Sequence, residues 1–293
     1  MLNYPGPRLL AVITATAALG LGVLSGCGNG EGGDEQVTSV PKSGADAFGA
    51  ARFKEPTRSN KWMPLEPGTQ VVKLGRLNRG HRQLTHRIVY TITDVTKNID
   101  GVRTITALDQ DIDAGQIAEQ ALDFLAQDRQ GNVWYLGSYT EAYEGGQFVN
   151  AADAWLAGTD GAVAGRLMPA KPRTGTSFVQ AEVPGDDPDV AEVVKTGQRH
   201  CVPFKCYRNV VVLQEGGSDG EWKYFAPGVG GIRTEPRYKG GEQEVEELIN
   251  VTRLSPRALA ELSAEALKLD RHARTEVQDT FGSSQPAKRS PNL

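Results

Sequence analysis

Cys201 and Cys206 bracket Val202-Pro203-Phe204-Lys205, a turn between two segments, 196–200 and 207–213, that alternate as strands do. Cysteines opposed across a hairpin have Cα atoms about 4.5–5.5 Å apart, within reach of a disulfide. A disulfide pinning one hairpin is the first reading of the pair. A redox couple is the second, although four intervening residues are not the C-x-x-C of oxidoreductases. Zinc on His200, Cys201 and Cys206 is the third, and it lacks a fourth ligand nearby. Asp109-Gln110-Asp111-Ile112-Asp113-Ala114-Gly115 imitates the opening of a calcium loop. Its sixth position is Ala114 and its twelfth Gln120, not the Gly and bidentate Glu that such a loop needs, so hairpin-loop carboxylates are expected. Gly185-Asp186-Asp187-Pro188-Asp189 could likewise touch calcium weakly, but it reads more simply as the cap of a short helix over 187–194. Gly228-Val229-Gly230-Gly231 is followed by a strand pattern, which points to a turn or bulge and away from a phosphate cradle. His81, His86, His200 and His272 occupy unrelated settings, and neither G-x-S-x-G nor H-E-x-x-H occurs. Satisfied or solvated histidines are expected; a hydrolase would need a site assembled from dispersed polar residues. Nothing in the sequence indicates a cofactor or a metal.

Trp134, Tyr135, Tyr139, Tyr143, Phe148 and Trp155 crowd into a three-strand stretch. They read either as core filling between a sheet and its cover or as the lining of a concave apolar groove for a lipid or other small apolar ligand.

Residues 9–24 form a sixteen-residue uncharged apolar run, shorter than the ~20 residues a spanning helix needs and suited to a signal-peptide core. Leu24-Ser25-Gly26-Cys27 follows directly and resembles the lipobox of bacterial lipoproteins. That resemblance implies lipidation of the Cys27 thiol, cleavage before Cys27 and acylation of the new amino terminus, with anchoring strength set by about 0.8 kcal/mol per buried CH₂. An ordinary secretory signal or an uncleaved anchor helix is the alternative. The partner implied is a membrane, met through lipid at the extracytoplasmic face.

The rest of the chain must position these groups. With 32 Lys and Arg against 36 Asp and Glu, the formal charge is −4 and no basic cluster marks a nucleic-acid surface. Hydrophobic residues at 39% and charged ones at 23% describe a globular chain. The 34 glycines exceed the usual ~7%, which favours many turns and short strands. Residues 27–60 are poor in apolar side chains and read as a flexible tether. One β-rich domain is expected over 61–281, with a loose tail over 282–293. Ile88, Tyr90 and Ile92 share one face of a strand while Val89, Thr91, Thr93 and Val95 share the other. Further strands are expected at 102–108, 116–126, 133–137, 147–155, 176–182, 207–213, 221–226, 231–238 and 244–251, with turn chemistry at 113–115, 128–132, 144–146 and 218–220. Such short connections force antiparallel pairing. Ser255 and Pro256 open an amphipathic helix carrying Leu259, Leu262, Ala266, Leu269, Ala273 and Val277 on one stripe, which must lie against the sheet or cover its edge.

The segments 124–137, 141–145, 154–162, 168–170 and 223–230, with Trp62-Met63-Pro64-Leu65-Glu66-Pro67-Gly68 upstream and 250–261 downstream, are together similar to an uncharacterised family of bacterial, often actinobacterial, exported proteins and lipoproteins. The resemblance spans about 62–281 and implies an envelope location without an activity. The sequence thus predicts a mainly β (β-rich α+β) protein, an antiparallel curved sheet or partly closed barrel with a C-terminal amphipathic helix. It is expected to be a lipid-anchored, non-enzymatic binding module for an apolar ligand or envelope partner, or else an accessory lipoprotein without a pocket.

Overall fold

The computed structural model describes residues 48–53, 60–79, 82–216, 220–237 and 243–291. Cys27, the apolar leader and His81 lie outside them. Fourteen strands follow in order: β1 (Thr69–Arg79), β2 (Arg82–Ile99), β3 (Val102–Asp113), β4 (Gln116–Gln127), β5 (Val133–Glu144), β6 (Gln147–Leu156), β7 (Val163–Met168), β8 (Ser177–Glu182), β9 (Asp189–Cys201), β10 (Cys206–Glu215), β11 (Glu221–Ala226), β12 (Gly230–Pro236), β13 (Gln243–Arg253) and β14 (Lys288–Arg289). The helix α1 (Pro256–Glu276) precedes β14.

Twelve strands form a closed antiparallel ring, β1-β13-β12-β11-β10-β9-β8-β7-β5-β4-β3-β2, with β2 pairing back onto β1. Of the two shapes expected from sequence, a curved sheet or a partly closed barrel, the structure is the barrel, and it is fully closed. β6 pairs with β5 alone, beside the stretch of β5 that β7 occupies. Closure brings β13 very close to β1: a Cβ at Gly75 would stand 1.6 Å from the carbonyl oxygen of Val245, so only glycine fits there. The β3–β4 turn uses Ala114 (φ 48°) and Gly115 (φ 85°), the conformation in which two-residue hairpins match strand twist.

Side-chain alternation divides the wall into two environments. On the outer face of β2–β5, Lys97, Phe124 and Tyr139 lie under α1 and the chain that follows it. Ser255 caps α1 by accepting from the Ala258 N–H at 3.2 Å, and Ala266, Leu269 and Ala273 of its stripe are buried. Phe281 packs between Phe124 (6.3 Å) and Tyr139 (5.5 Å). The Lys97 ammonium donates to Asp270 of α1 at 2.8 Å and to the Gln285 carbonyl at 2.7 Å.

One end of the barrel is closed by residues 60–68. Asn60 donates to the Gly131 carbonyl at 2.8 Å, Trp62 Nε1 to the Asn209 carbonyl at 3.1 Å, and the Gly228 N–H to the Lys61 carbonyl at 2.8 Å. Leu65, fully buried, joins Ile105, Leu125, Met168, Phe178 and Phe225 in the main core. The opposite end carries the β3–β4 and β5–β6 turns, with the paired ends of β1 and β2 and of β10 and β11.

Four local expectations change. The helix read over 187–194 is the start of β9: Ala191 and Val193 are fully buried there, paired to Phe178 and Leu213 of neighbouring strands, and that burial outweighs the capping signal of Asp187-Pro188. Asp109, Asp111 and Asp113 belong to strand β3 itself, on its inner face, and not to the hairpin loop. Within the range read as a tether, Phe48 and Phe53 lie 6.0 and 5.9 Å from Trp134, and Phe53 bridges to Asp128. Within the range read as a loose tail, β14 pairs with Val95 and Thr96 of β2, and Arg289 clasps Asp94 at 2.6 and 3.0 Å.

Candidate functional site

The inner face of the barrel is apolar near the closed end and carboxylate-rich toward the other. Register places these groups in rows across adjacent strands. Tyr90, Asp109, Ala121, Thr140 and Asp153 form one row over β2–β6. Ile92, Ala107, Asp123, Ser138 and Trp155 form the next, nearer the closed end. Neighbours within such a row stand about 4.5–5.5 Å apart, and diagonal neighbours remain in reach of long side chains.

Asp123 accepts from the Tyr135 hydroxyl at 2.9 Å and also meets the Tyr90 hydroxyl. Burial pushes its carboxyl up to about 6, against the pull of those two donors and with the help of Asp153. Asp109 is pushed further, to about 8, by burial first and then by the charge of Asp123, while Lys73 works the other way. Among the described residues its Oδ1 has no hydrogen-bond partner, although the residue is 2% exposed. Burial likewise lifts Asp189 to about 6, reinforced by Asp153 and Glu215. Asp153 is solvent-exposed and still acts on Asp123, Tyr135 and Asp189. Water therefore reaches this wall from the side of β6.

Three ion pairs complete the inner wall. Lys73 is bonded to Glu246, which also accepts from Thr234 at 2.7 Å. Desolvation pulls the Lys73 ammonium down, yet the Glu246 charge wins and holds it above its ordinary range, while the same attraction holds Glu246 below its own. His86, fully buried, bonds Asp113 through Nδ1 at 2.8 Å, with Nε2 3.9 Å from Glu246. Lys223 reaches Glu215 at 2.8 Å and Glu221 at 3.7 Å, and Gln180 donates to Glu215 at 2.9 Å. The neighbouring carboxylates raise Lys223 over the opposing effect of burial. Carboxylates outnumber ammonium groups on this face among the described residues.

The six aromatic residues singled out from sequence are divided by the wall. Tyr135 and Trp155 point inward and meet edge to face at 5.2 Å. Trp134, the next residue, faces outward, donates to Asp128 at 2.9 Å and packs against Phe48 and Phe53. Tyr139, Tyr143 and Phe148 form an outer group beside α1, where Glu141 accepts from Tyr139 at 2.7 Å, from Tyr143, and from His272 at 2.7 Å. Phe148 lies 4.8 Å from the His272 ring. They do not line one groove.

Cys201 and Cys206 are joined as a disulfide, their Cα atoms 3.9 Å apart, at the tip of the β9–β10 hairpin. The hairpin folds across the outside of β11–β13: His200 stacks on Tyr224 at 4.6 Å, and the Phe204 N–H bonds the Leu248 carbonyl at 3.1 Å. The bond removes both thiols from any zinc site. Among the described residues no three His, Cys, Asp or Glu side chains converge closely enough to hold a metal ion.

Sequence reasoning did not single out Lys73, Glu119, Asp123, Asp153, Asp189, Lys223 or Glu246 as parts of one site. The signal that could have pointed to the site is in β3, where Asp109, Asp111 and Asp113 put a carboxylate at every second position of a strand. No family model and no curated protein matches the chain. Among solved structures it is similar to a protein from Bacteroides fragilis described as exported and of YmcC-like fold, with 13% identity and a TM-score of 0.40 over 66% of this chain and 99% of that one. It is also similar to a protein from Parabacteroides distasonis described as a lipoprotein, with 13% identity and a TM-score of 0.32 over the same shares.

Proposed function

We propose that the chain is a lipid-anchored protein of the cell envelope that binds a small molecule inside its barrel without covalent chemistry. The anchor rests on the lipobox-like residues ending at Cys27. The binding reading rests on one observation: a closed barrel, sealed by apolar side chains at one end, keeps partly solvated carboxylates and an inward Tyr135–Trp155 pair at the other. Deep burial of so many charges weakens a fold unless they are matched, so such a wall is a candidate binding surface before it is a stabilising device. The cations and the histidine in it are already engaged, Lys73 with Glu246, Lys223 with Glu215 and His86 with Asp113, which favours holding a ligand over moving protons on one. The apolar groove of the sequence reading shrinks to the Tyr135–Trp155 pair.

Native mass spectrometry of a soluble Cys27→Ser mature form, purified from its own host, tests the binding. A small molecule retained by this form and lost from Asp123→Asn is the expected result; a ligand-free protein overturns it. Palmitate labelling tests the anchor: label that persists after Cys27→Ser removes the lipid assignment.

A further inference from the structure

We infer that the chamber takes an organic ammonium ion, its charge on Asp109 and Asp123 and its carbon skeleton against Tyr135 and Trp155. This rests on the binding reading above and names the ligand class.

Charge makes the first selection. Lys73 and Lys223 are each bonded to a carboxylate of their own, Glu246 and Glu215, so an anion entering the chamber meets the carboxyl groups of Asp109 and Asp123 with no ammonium hydrogen-bonded to either among the described residues. A bare metal ion finds no three converging ligands among the described residues. Asp109 supplies the second, independent observation: a carboxylate oxygen with no hydrogen-bond partner among the described residues, on a residue 2% exposed. An acceptor left unfilled in a buried place carries a desolvation cost that an N–H donor bearing positive charge removes. A proton serves that purpose in the absence of a ligand, as the upward shift of Asp109 to about 8 reflects.

Shape makes the second selection. Between Asp109 and Asp153 the row carries only the small side chains Ala121 and Thr140, beside which an ammonium group would reach both Asp109 and its diagonal neighbour Asp123. Trp155 lies in the same row as Asp123, two strands away, with Tyr135 against it at 5.2 Å. Aromatic faces attract both alkyl groups and cations, so a small amine with an apolar body satisfies carboxylates and rings together.

Thiol labelling tests this. Thr140→Cys, placed in the row of Asp109 in the full chain with Cys27→Ser, is treated in mild detergent with a cationic aminoethyl or an anionic sulfonatoethyl methanethiosulfonate, each rate normalised to that of a free thiol. A cleft of one charge sign concentrates counter-ions, so the cationic reagent is expected to react about tenfold faster or more, and Asp109→Asn with Asp123→Asn should abolish the preference. 2-Phenylethylamine should slow the labelling while 2-phenylethanol does not. Equal reagent rates, no protection by the amine, or equal protection by the alcohol overturn the ammonium assignment and leave the chamber standing. No labelling by either reagent overturns the chamber itself. Ala142→Cys, one row nearer the turns, is the second reporter should Thr140→Cys fail to fold.

Discussion

Asp109 and Asp123 stand on adjacent strands of the barrel, on the same inner face, each two residues from the other's direct partner. Both are held above the ordinary carboxylate range, yet unequally, Asp109 at about 8 and Asp123 at about 6. Two like charges in a poorly solvated space do not ionise together; the one with better donors ionises first. Tyr135 and Tyr90 are those donors, and both are on Asp123.

The pair makes stability depend on pH. A carboxyl that holds its proton more tightly when folded than in the unfolded chain, where it titrates near pH 4, favours the folded state at low pH. That advantage declines as pH rises through the window from about 4 to 8, at up to about 1.4 kcal/mol per pH unit for each such group. Asp123 and Asp189, shifted in the same direction, add to the slope in its lower half. Asp109→Asn should therefore raise the melting temperature at pH 9 by a few degrees and leave it unchanged or lower at pH 5, as followed by circular dichroism. A variant whose melting temperature tracks the wild-type curve across this range would contradict the placement of Asp109.

Lys97 and Asp270 should behave as an obligate pair. Lys97 is 1% exposed and ties α1 and Gln285 to β2, so Lys97→Ala leaves Asp270 charged and buried with one partner fewer. Removing one member of such a pair costs about 3–5 kcal/mol, whereas replacing both by apolar residues of similar volume is often neutral. Urea denaturation of Lys97→Ala and of Lys97→Met with Asp270→Leu should show the first far weaker than the second. Equal losses would mean that packing of the lysine stem on Phe124 and Phe281 carries the contact.

Most strands, the hairpins, the barrel-like class and the capped helix were legible in the sequence because each rests on local alternation or on one capping residue, as Ser255 illustrates, whereas β1 and β7 were not read as strands. Which face turns inward was not. In β3, Thr106 and Leu108 face out under the cover of α1 while Asp109, Asp111 and Asp113 face in, the reverse of the usual pattern. Alternation reveals that a strand has two faces and says nothing about which one a closed wall encloses. Closure itself depends on Val71 meeting both Tyr90 and Val251, a pairing of distant segments that no local signal announces. The same limit explains the aromatic set: Trp134 and Tyr135 are neighbours in sequence and lie on opposite sides of the wall.

The disulfide should matter locally. It closes a loop of only a few residues, for which the chain-entropy contribution is about 2 kcal/mol. Cys201→Ala with Cys206→Ala should shift the urea midpoint by no more than that and leave the barrel intact. Hydrogen exchange should quicken at Val202 and Phe204, whose N–H groups bond Lys205 and Leu248, and remain unchanged at Val211 and Leu213 within the barrel. Faster exchange throughout β10 would show that the bridge supports the wall as well as its outer arm.

Glu141 should decide how firmly the second half of α1 is held. It lies on β5, is 2% exposed, and accepts from three donors, Tyr139 and Tyr143 on its own strand and His272 on the helix. Glu141→Ala strands the fully buried Tyr139 hydroxyl and leaves His272 with only Glu276 on its own helix as a charged partner, at about 1–3 kcal/mol for the unsatisfied hydroxyl alone. Glu141→Gln keeps an acceptor in place and should lose less. Because Ser255 and the first turn of α1 do not touch this cluster, hydrogen exchange should accelerate over 266–276 and hardly at all over 256–262. Uniform acceleration along the helix would assign its anchorage to Lys97 and Asp270, and the contrast between the two halves separates an electrostatic clasp at one end from apolar burial along the whole stripe.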